Sequence, residues 1–225
     1  MTTARDLFDR LVKPVYVRAR DTVNGHLERR HHINTMGSIQ LEELGVGGEG
    51  RNRYEPSEWM VLRRVLPRRE VGADDVFIDV GSGMGRVVFQ AAGYPFKRVI
   101  GVELSEELNR VARANIENNR DRLFCRDVEL VTADATDYRL PDDVTVAYFA
   151  NPFTGDIFRT VIEQLLESLD RRPRRLRLIY RNPVEHDYLM STGRFRPVRR
   201  LRGWRPTEEW SVSNSTRMYE AQAGT

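Results

Sequence analysis

The residues able to do chemistry fall in a few short stretches, and the first is FIDVGSGMG, where Asp79 precedes Gly81, Ser82, Gly83 and Gly85. Glycines at alternate positions let the main chain approach a ligand closely, because no side chain stands between them. In GVEL, Glu103 lies 22 residues after Gly81, and its carboxylate offers two acceptor oxygens to the paired hydroxyls of a ribose. ADATDY contributes Asp134 and Ala135, and ANPF contributes Asn151, Pro152 and Phe153. Tyr54 ends the glycine-dense segment LGVGGEGRNRYEP, which reads as a mobile loop with Tyr54 placed to close over a ligand or simply to fill apolar space.

Two ligand classes use such a glycine turn and ribose acid: a nicotinamide or flavin dinucleotide, and S-adenosylmethionine. The dinucleotide fingerprint G-x-G-x-x-G needs its third glycine at position 86, which is Arg86 here. A dinucleotide also brings a pyrophosphate, which Asp79 would repel. The ammonium of a methionine tail suits that acid. The residues therefore favour the methyl donor, with S-adenosylhomocysteine as its product.

These residues must be positioned by the elements around them. Short β-branched runs at 76–80, 98–103, 128–133, 144–150 and 176–181 alternate with amphipathic helical stretches at 84–93, 105–121 and 155–170. Such alternation predicts an α/β fold with a parallel sheet covered on both faces, whose ligands sit beyond the carboxyl ends of the strands. The stretches PVRRLRGW and EEWSVSNSTRMYEA predict an antiparallel pair with a short connection at one edge. Upstream, residues 4–33 read as helical with a kink at Pro14, and 57–66 as a helix capped by Ser57. The expected layout is an N-terminal helical cap and lid loop over 1–70, and a cofactor-binding core over 71–225.

Composition narrows the class further. The chain has 225 residues, 40% of them hydrophobic and 31% charged, as expected of a globular protein. No apolar run reaches the roughly 20 residues of a membrane span, and the first residues lack the apolar core of a secretory signal. Cys125 is the only cysteine, which points to a reducing cytoplasm. The histidines His26, His31, His32 and His186 show no metal-ligand spacing, so no metal site is expected; a general base at His186 is less favoured than a surface histidine. Lysine occurs only at Lys13 and Lys97, so 34 of the 36 basic residues are arginine. The clusters at Arg171, Arg172, Arg174 and Arg175, and at Arg199, Arg200 and Arg202, read first as salt-bridged surface and second as a polyanion contact.

Taken together, FIDVGSGMG, GVEL, ADATDY and ANPF resemble the core of class I S-adenosylmethionine-dependent methyltransferases. The resemblance is close over 76–153, about a third of the chain. It implies a Rossmann-like, seven-stranded, mostly parallel sheet whose last strand is antiparallel. It also implies roles: the glycine turn and Asp79 for the methionine tail, Glu103 for the ribose, and Asp134 for the adenine amino group. Asn151-Pro152-Phe153 is similar to the N-P-P-Y/F motif of amino-group methyltransferases, which places the Asn151 side chain and the Pro152 carbonyl against an acceptor N–H, with Phe153 packing on the substrate. A turn-capping Asn151 and a core Phe153 are the structural alternatives. YEP followed by DVGSGMGRVVFQAA is further similar to the non-SET histone-lysine methyltransferases, which carry N-N-F where this chain has Asn151-Pro152-Phe153. The expected function is methylation of an amine or amide nitrogen of a small molecule or a protein side chain. RNA N-methylation and a non-catalytic S-adenosylmethionine-binding module are the alternatives, and oligomeric state is unread.

Overall fold

The computed structural model describes residue 6, residues 8–202 and residues 215–224. A π-helical turn, Phe8–Val12, leads into α1, Lys13–His31, and a short α2 follows at Val61–Val65. The core then runs β1 Val76–Val80, α3 Arg86–Ala92, β2 Arg98–Glu103, α4 Glu106–Glu117 and β3 Val128–Thr132. It continues with β4 Val146–Phe149, α5 Gly155–Arg171, β5 Leu176–Arg181, α6 His186–Ser191, β6 Phe195–Leu201 and β7 Thr216–Ala221.

The strands form one seven-stranded sheet in the order β3-β2-β1-β4-β5-β7-β6. β1 to β5 pair in parallel, and β7 runs antiparallel between β5 and β6. Every residue of β1 is buried, because helices cover both faces and leave no solvated side for polar alternation. Ile78 and Val80 pack into the apolar layer of α5, and Phe77 into the layer of α3. Asp79 points to the Phe77 face and is only 2% exposed, so β1 carries a carboxylate into the core. The chain reverses direction across the sheet between β1 and β4, and their carboxyl ends open the crevice in which such folds bind ligands.

Four of the five parallel strands and α5 begin where the sequence places them. Ser105 caps α4 by accepting the Leu108 N–H at 3.3 Å. The upstream expectations fare less well. Pro14 lies in the first turn of α1, where its missing N–H costs nothing, rather than at a kink. Leu11, Val12 and Val15, apolar residues at helical spacing, are exposed, and the buried residues of α1 are Asn24 and Glu28. α2 starts at Val61, not at Ser57, whose carbonyl is taken by Arg86 instead. The glycine-dense segment is pinned rather than free. Tyr54 and Ile39 exchange backbone bonds, while Thr154 and Asn52 donate to Gly50 and Pro152.

α6 was not foreseen; the expected antiparallel edge pair is present as β6 and β7, and its expected short connection lies outside the described residues. The expected strand residues 208–214 lie outside the described residues. Most clustered arginines have partners: Arg171 with Asp142 at 2.8 Å, Arg175 with Glu220 at 2.7 Å, and Arg199 with Glu70 at 2.9 Å. Arg174 caps the carbonyls of Val144 and Ser168. Among the described residues, no helix is long and apolar enough to cross a membrane.

Candidate active site

The carboxyl ends of β1, β2 and β4 and the segment 51–57 enclose a cleft at the switch point of the sheet, where such folds place small-molecule sites. Of the residues singled out in the sequence, Tyr54, Asp79, Gly81, Ser82, Glu103, Asp134, Ala135, Asn151, Pro152 and Phe153 all line it. Gly83 and Gly85 stand behind its wall. A Cβ at Gly83 would lie 2.2 Å from the Tyr54 ring, and one at Gly85 2.8 Å from the Ala112 Cβ, so close packing requires a glycine at both positions. Gly81 faces the cleft with φ +77, and a Cβ there would meet Pro152 at 2.3 Å. The cofactor turn and the Asn-Pro-Phe stretch are thus in direct contact.

Asp79 Oδ1 is buried without a hydrogen-bond partner, and burial together with the charge of Glu103 holds its carboxyl well above the ordinary carboxylate range. A buried acid left in this condition asks for a cationic partner. Glu103, 6% exposed, accepts the Gly83 N–H at 2.7 Å and the Ser105 N–H at 3.0 Å. Burial raises its pKa, while those N–H groups oppose the rise. One donor on each oxygen leaves a lone pair on each for a vicinal diol. Asp134 is more committed than the sequence implied. Its Oδ1 accepts from the Thr136 N–H at 3.0 Å and from the Thr136 hydroxyl at 2.8 Å, and its Oδ2 pairs with Arg51. Burial opposes ionisation, but the bonds from Thr136 and Arg51 outweigh it and lower the pKa.

Asn151 adopts φ 57, a left-handed conformation that asparagine tolerates better than most residues and that is frequent at functional sites. Its Oδ1 lies 3.5 Å from the Tyr180 hydroxyl. Asn52 ties this turn from across the cleft: its Nδ2 donates to the Asn151 carbonyl at 2.9 Å and its N–H to the Pro152 carbonyl at 3.0 Å. The Pro152 carbonyl, expected to face an acceptor, therefore already holds a partner. Phe153 is 5% exposed and packs on Phe149 and Phe158, so it is chiefly a core residue with one edge in the cleft. His186 is on α6, bonded to the Tyr219 hydroxyl at 3.0 Å, and does not line the cleft. Burial and the charge of Arg217 lower its pKa.

Comparisons with known proteins find similarity to methyltransferases. The family model described as "Histone methylation protein DOT1" matches residues 52–145. A protein-lysine N-methyltransferase of Saccharolobus islandicus (strain REY15A) is 42% identical over 67 residues, covering 29% of this chain and 42% of that protein. A histone-lysine N-methyltransferase, H3 lysine-79 specific, of Drosophila melanogaster is 37% identical over 70 residues, 27% of this chain and 4% of that one. The crystal structure of an RNA methyltransferase from Salinibacter ruber in complex with S-adenosyl-L-homocysteine matches with a TM-score of 0.50 and 19% identity, over 75% of this chain and 93% of that chain. The chain has the class I methyltransferase fold. The resemblances read from FIDVGSGMG and its neighbours, including that to the non-SET histone-lysine enzymes, are borne out. The chain spans less than half the length of either curated relative, and the similarity ends before Asn151 as far as the family model is concerned.

Sequence reasoning missed Arg51, Asn52, Ser57 and Arg86 as wall residues. Arg86 was legible as the residue that breaks the dinucleotide spacing. The others sit in a loop without periodicity, and only the folded chain brings them to the strand ends.

Proposed function

We propose that the chain is an S-adenosylmethionine-dependent methyltransferase acting on an amine nitrogen, with a lysine side chain of a protein as the first acceptor class. The observation that carries the cofactor reading is the partnerless, buried Asp79 Oδ1 in the same cleft as Glu103, one suited to an ammonium and the other to a ribose diol. The cradle fits as well, because Gly81 lines the same cleft and puts no side chain over its main chain. When bound, S-adenosylmethionine supplies a methyl group already activated on sulfur. Asp79 holds the ammonium, Glu103 fixes the ribose, and Asp134 offers Oδ2 towards the adenine edge. Asn151 turns its amide oxygen to an acceptor N–H and so aims the nitrogen lone pair. Asn151 takes no proton, so the acceptor must reach it neutral. The walls supplied by Tyr54, Pro152 and Phe153 keep the transfer dry.

The lysine preference rests on the names of the curated relatives and on Asn151 at the strand end. The partnered arginines give little support to an RNA contact. The test is incubation of the full chain with methyl-labelled S-adenosylmethionine and fractionated extract. Label in lysine of a protein band supports the reading, and label confined to RNA or small molecules overturns the acceptor. Absence of binding heat with S-adenosylmethionine overturns the whole.

A further inference from the structure

We propose that Glu28 and Thr35, in the N-terminal segment, are positioning residues for the methionine-tail side of the cofactor site, acting through Arg86, Tyr54 and Ser57. This rests on the cofactor reading above and extends it to residues outside the matched region.

Arg86 opens α3 directly after the glycine turn, lines the cleft, and is only 2% exposed. A guanidinium so deep requires a countercharge and a full set of acceptors. Its Nη2 donates to Glu28 Oε1 at 2.8 Å, its Nε to Thr35 Oγ1 at 2.7 Å, and its Nη1 to the Ser57 carbonyl at 3.0 Å. Glu28 Oε1 also accepts the Thr35 N–H at 2.9 Å and the Thr35 hydroxyl. Trp59 covers the guanidinium from 5.5 Å.

The same small knot holds two further walls of the cleft. The Thr35 carbonyl accepts the Tyr54 hydroxyl at 2.7 Å, and the Tyr54 ring lies against Gly83. Ser57 Oγ accepts the Tyr148 hydroxyl at 3.1 Å, and Tyr148 is the β4 residue in register with Asp79. Ser57 and Tyr148 stand beside Asp79, while Tyr54 also packs against Leu108. Glu103 and Asp134, the acids read for the ribose and the adenine, line the same cleft. A buried ion pair gives little net stability compared with apolar packing, so its worth here is geometric: through Ser57 and Tyr148 it sets the wall next to the ammonium seat.

The test compares two nucleosides on the full chain by calorimetry: S-adenosylmethionine, and 5′-methylthioadenosine, which lacks the amino-acid tail. Glu28→Gln keeps an oxygen for the Thr35 N–H but withdraws the countercharge. It should weaken S-adenosylmethionine about tenfold or more, as expected for loss of a hydrogen bond between charged groups, while 5′-methylthioadenosine changes less than about twofold. Thr35→Val, which keeps shape and loses one hydroxyl, should show the same asymmetry at about threefold. Equal loss for both nucleosides marks a merely structural role and overturns the proposal, as does no loss for either. A wild-type chain that binds neither nucleoside refutes the cofactor reading itself.

Discussion

Replacing Asp79 by asparagine should make the cofactor-free protein more stable and the cofactor weaker, two effects of opposite sign from one atom pair. Asp79 is 2% exposed, its Oδ1 has no partner, and Glu103 adds a second negative charge nearby. Asparagine is still polar but cannot ionise, and sparing the fold an uncompensated buried charge relieves about 1–3 kcal/mol where Asp79 is charged in the wild type. For a chain of this size that corresponds to a melting temperature roughly 2–12 °C higher. The same change removes the anion that holds the ammonium, at about 3–5 kcal/mol, or roughly 10²–10⁴-fold in Kd.

The pH dependence has a definite sign. A carboxyl whose folded pKa lies above its unfolded value adds stability at low pH and loses it as pH rises through the folded pKa. Asp79 is such a group, so its contribution to the wild type declines with rising pH, and Asp79→Asn should lack that decline. Affinity for S-adenosylmethionine runs the other way, strengthening in the wild type as Asp79 ionises and staying flat in the variant. Differential scanning fluorimetry and calorimetry across pH read both. A variant that melts below the wild type, or that binds S-adenosylmethionine with unchanged Kd, refutes the reasoning.

Other variants address the remaining walls of the cleft. Gly81→Ala puts a Cβ 2.3 Å from Pro152 at φ +77, so left-handed strain of about 1–2 kcal/mol and overpacking of about 1–3 kcal/mol should lower the melting temperature by roughly 4–20 °C. An unshifted thermal transition would show that Pro152 and the turn do not touch. Asn151→Gly keeps the left-handed backbone and deletes only the amide; S-adenosylmethionine Kd should stay within about twofold while transfer slows about 10²-fold. Equal turnover in single-cycle assays would remove Asn151 from the catalytic residues.

What the sequence reveals here is whatever is written locally. β1 and β2 are apolar runs bounded by turn signals, and the candidate cofactor residues lie at their ends, so strand, turn and Asp79 or Glu103 are read together. Gly83 and Gly85 look like ligand-facing glycines because their spacing matches Gly81, yet their neighbours, Tyr54 and Ala112, come from elsewhere in the chain. The same holds for the N-terminal segment. The helical reading of residues 4–33 says nothing of a buried charge, yet the buried residues of α1 are Asn24 and Glu28, and Glu28 pairs with Arg86. Periodicity has no means of announcing such a contact.

Asn52 carries the consequence for acceptor choice. Its side chain and main chain take the carbonyls of Asn151 and Pro152, two of the three acceptors that the turn presents, and leave Asn151 Oδ1 opposite the Tyr180 hydroxyl. On the proposed reading an incoming nitrogen would be aimed by one amide oxygen, whose position follows from the left-handed backbone at Asn151 and from Pro152 against Gly81. The loop that carries Asn52 also carries Arg51, paired with Asp134, and Tyr54, bonded to the Thr35 carbonyl. A single segment thus touches the adenine acid, the acceptor turn and the N-terminal knot. Sequence changes within 51–57 should therefore alter cofactor affinity and acceptor orientation together, whereas changes at the strand ends separate the two.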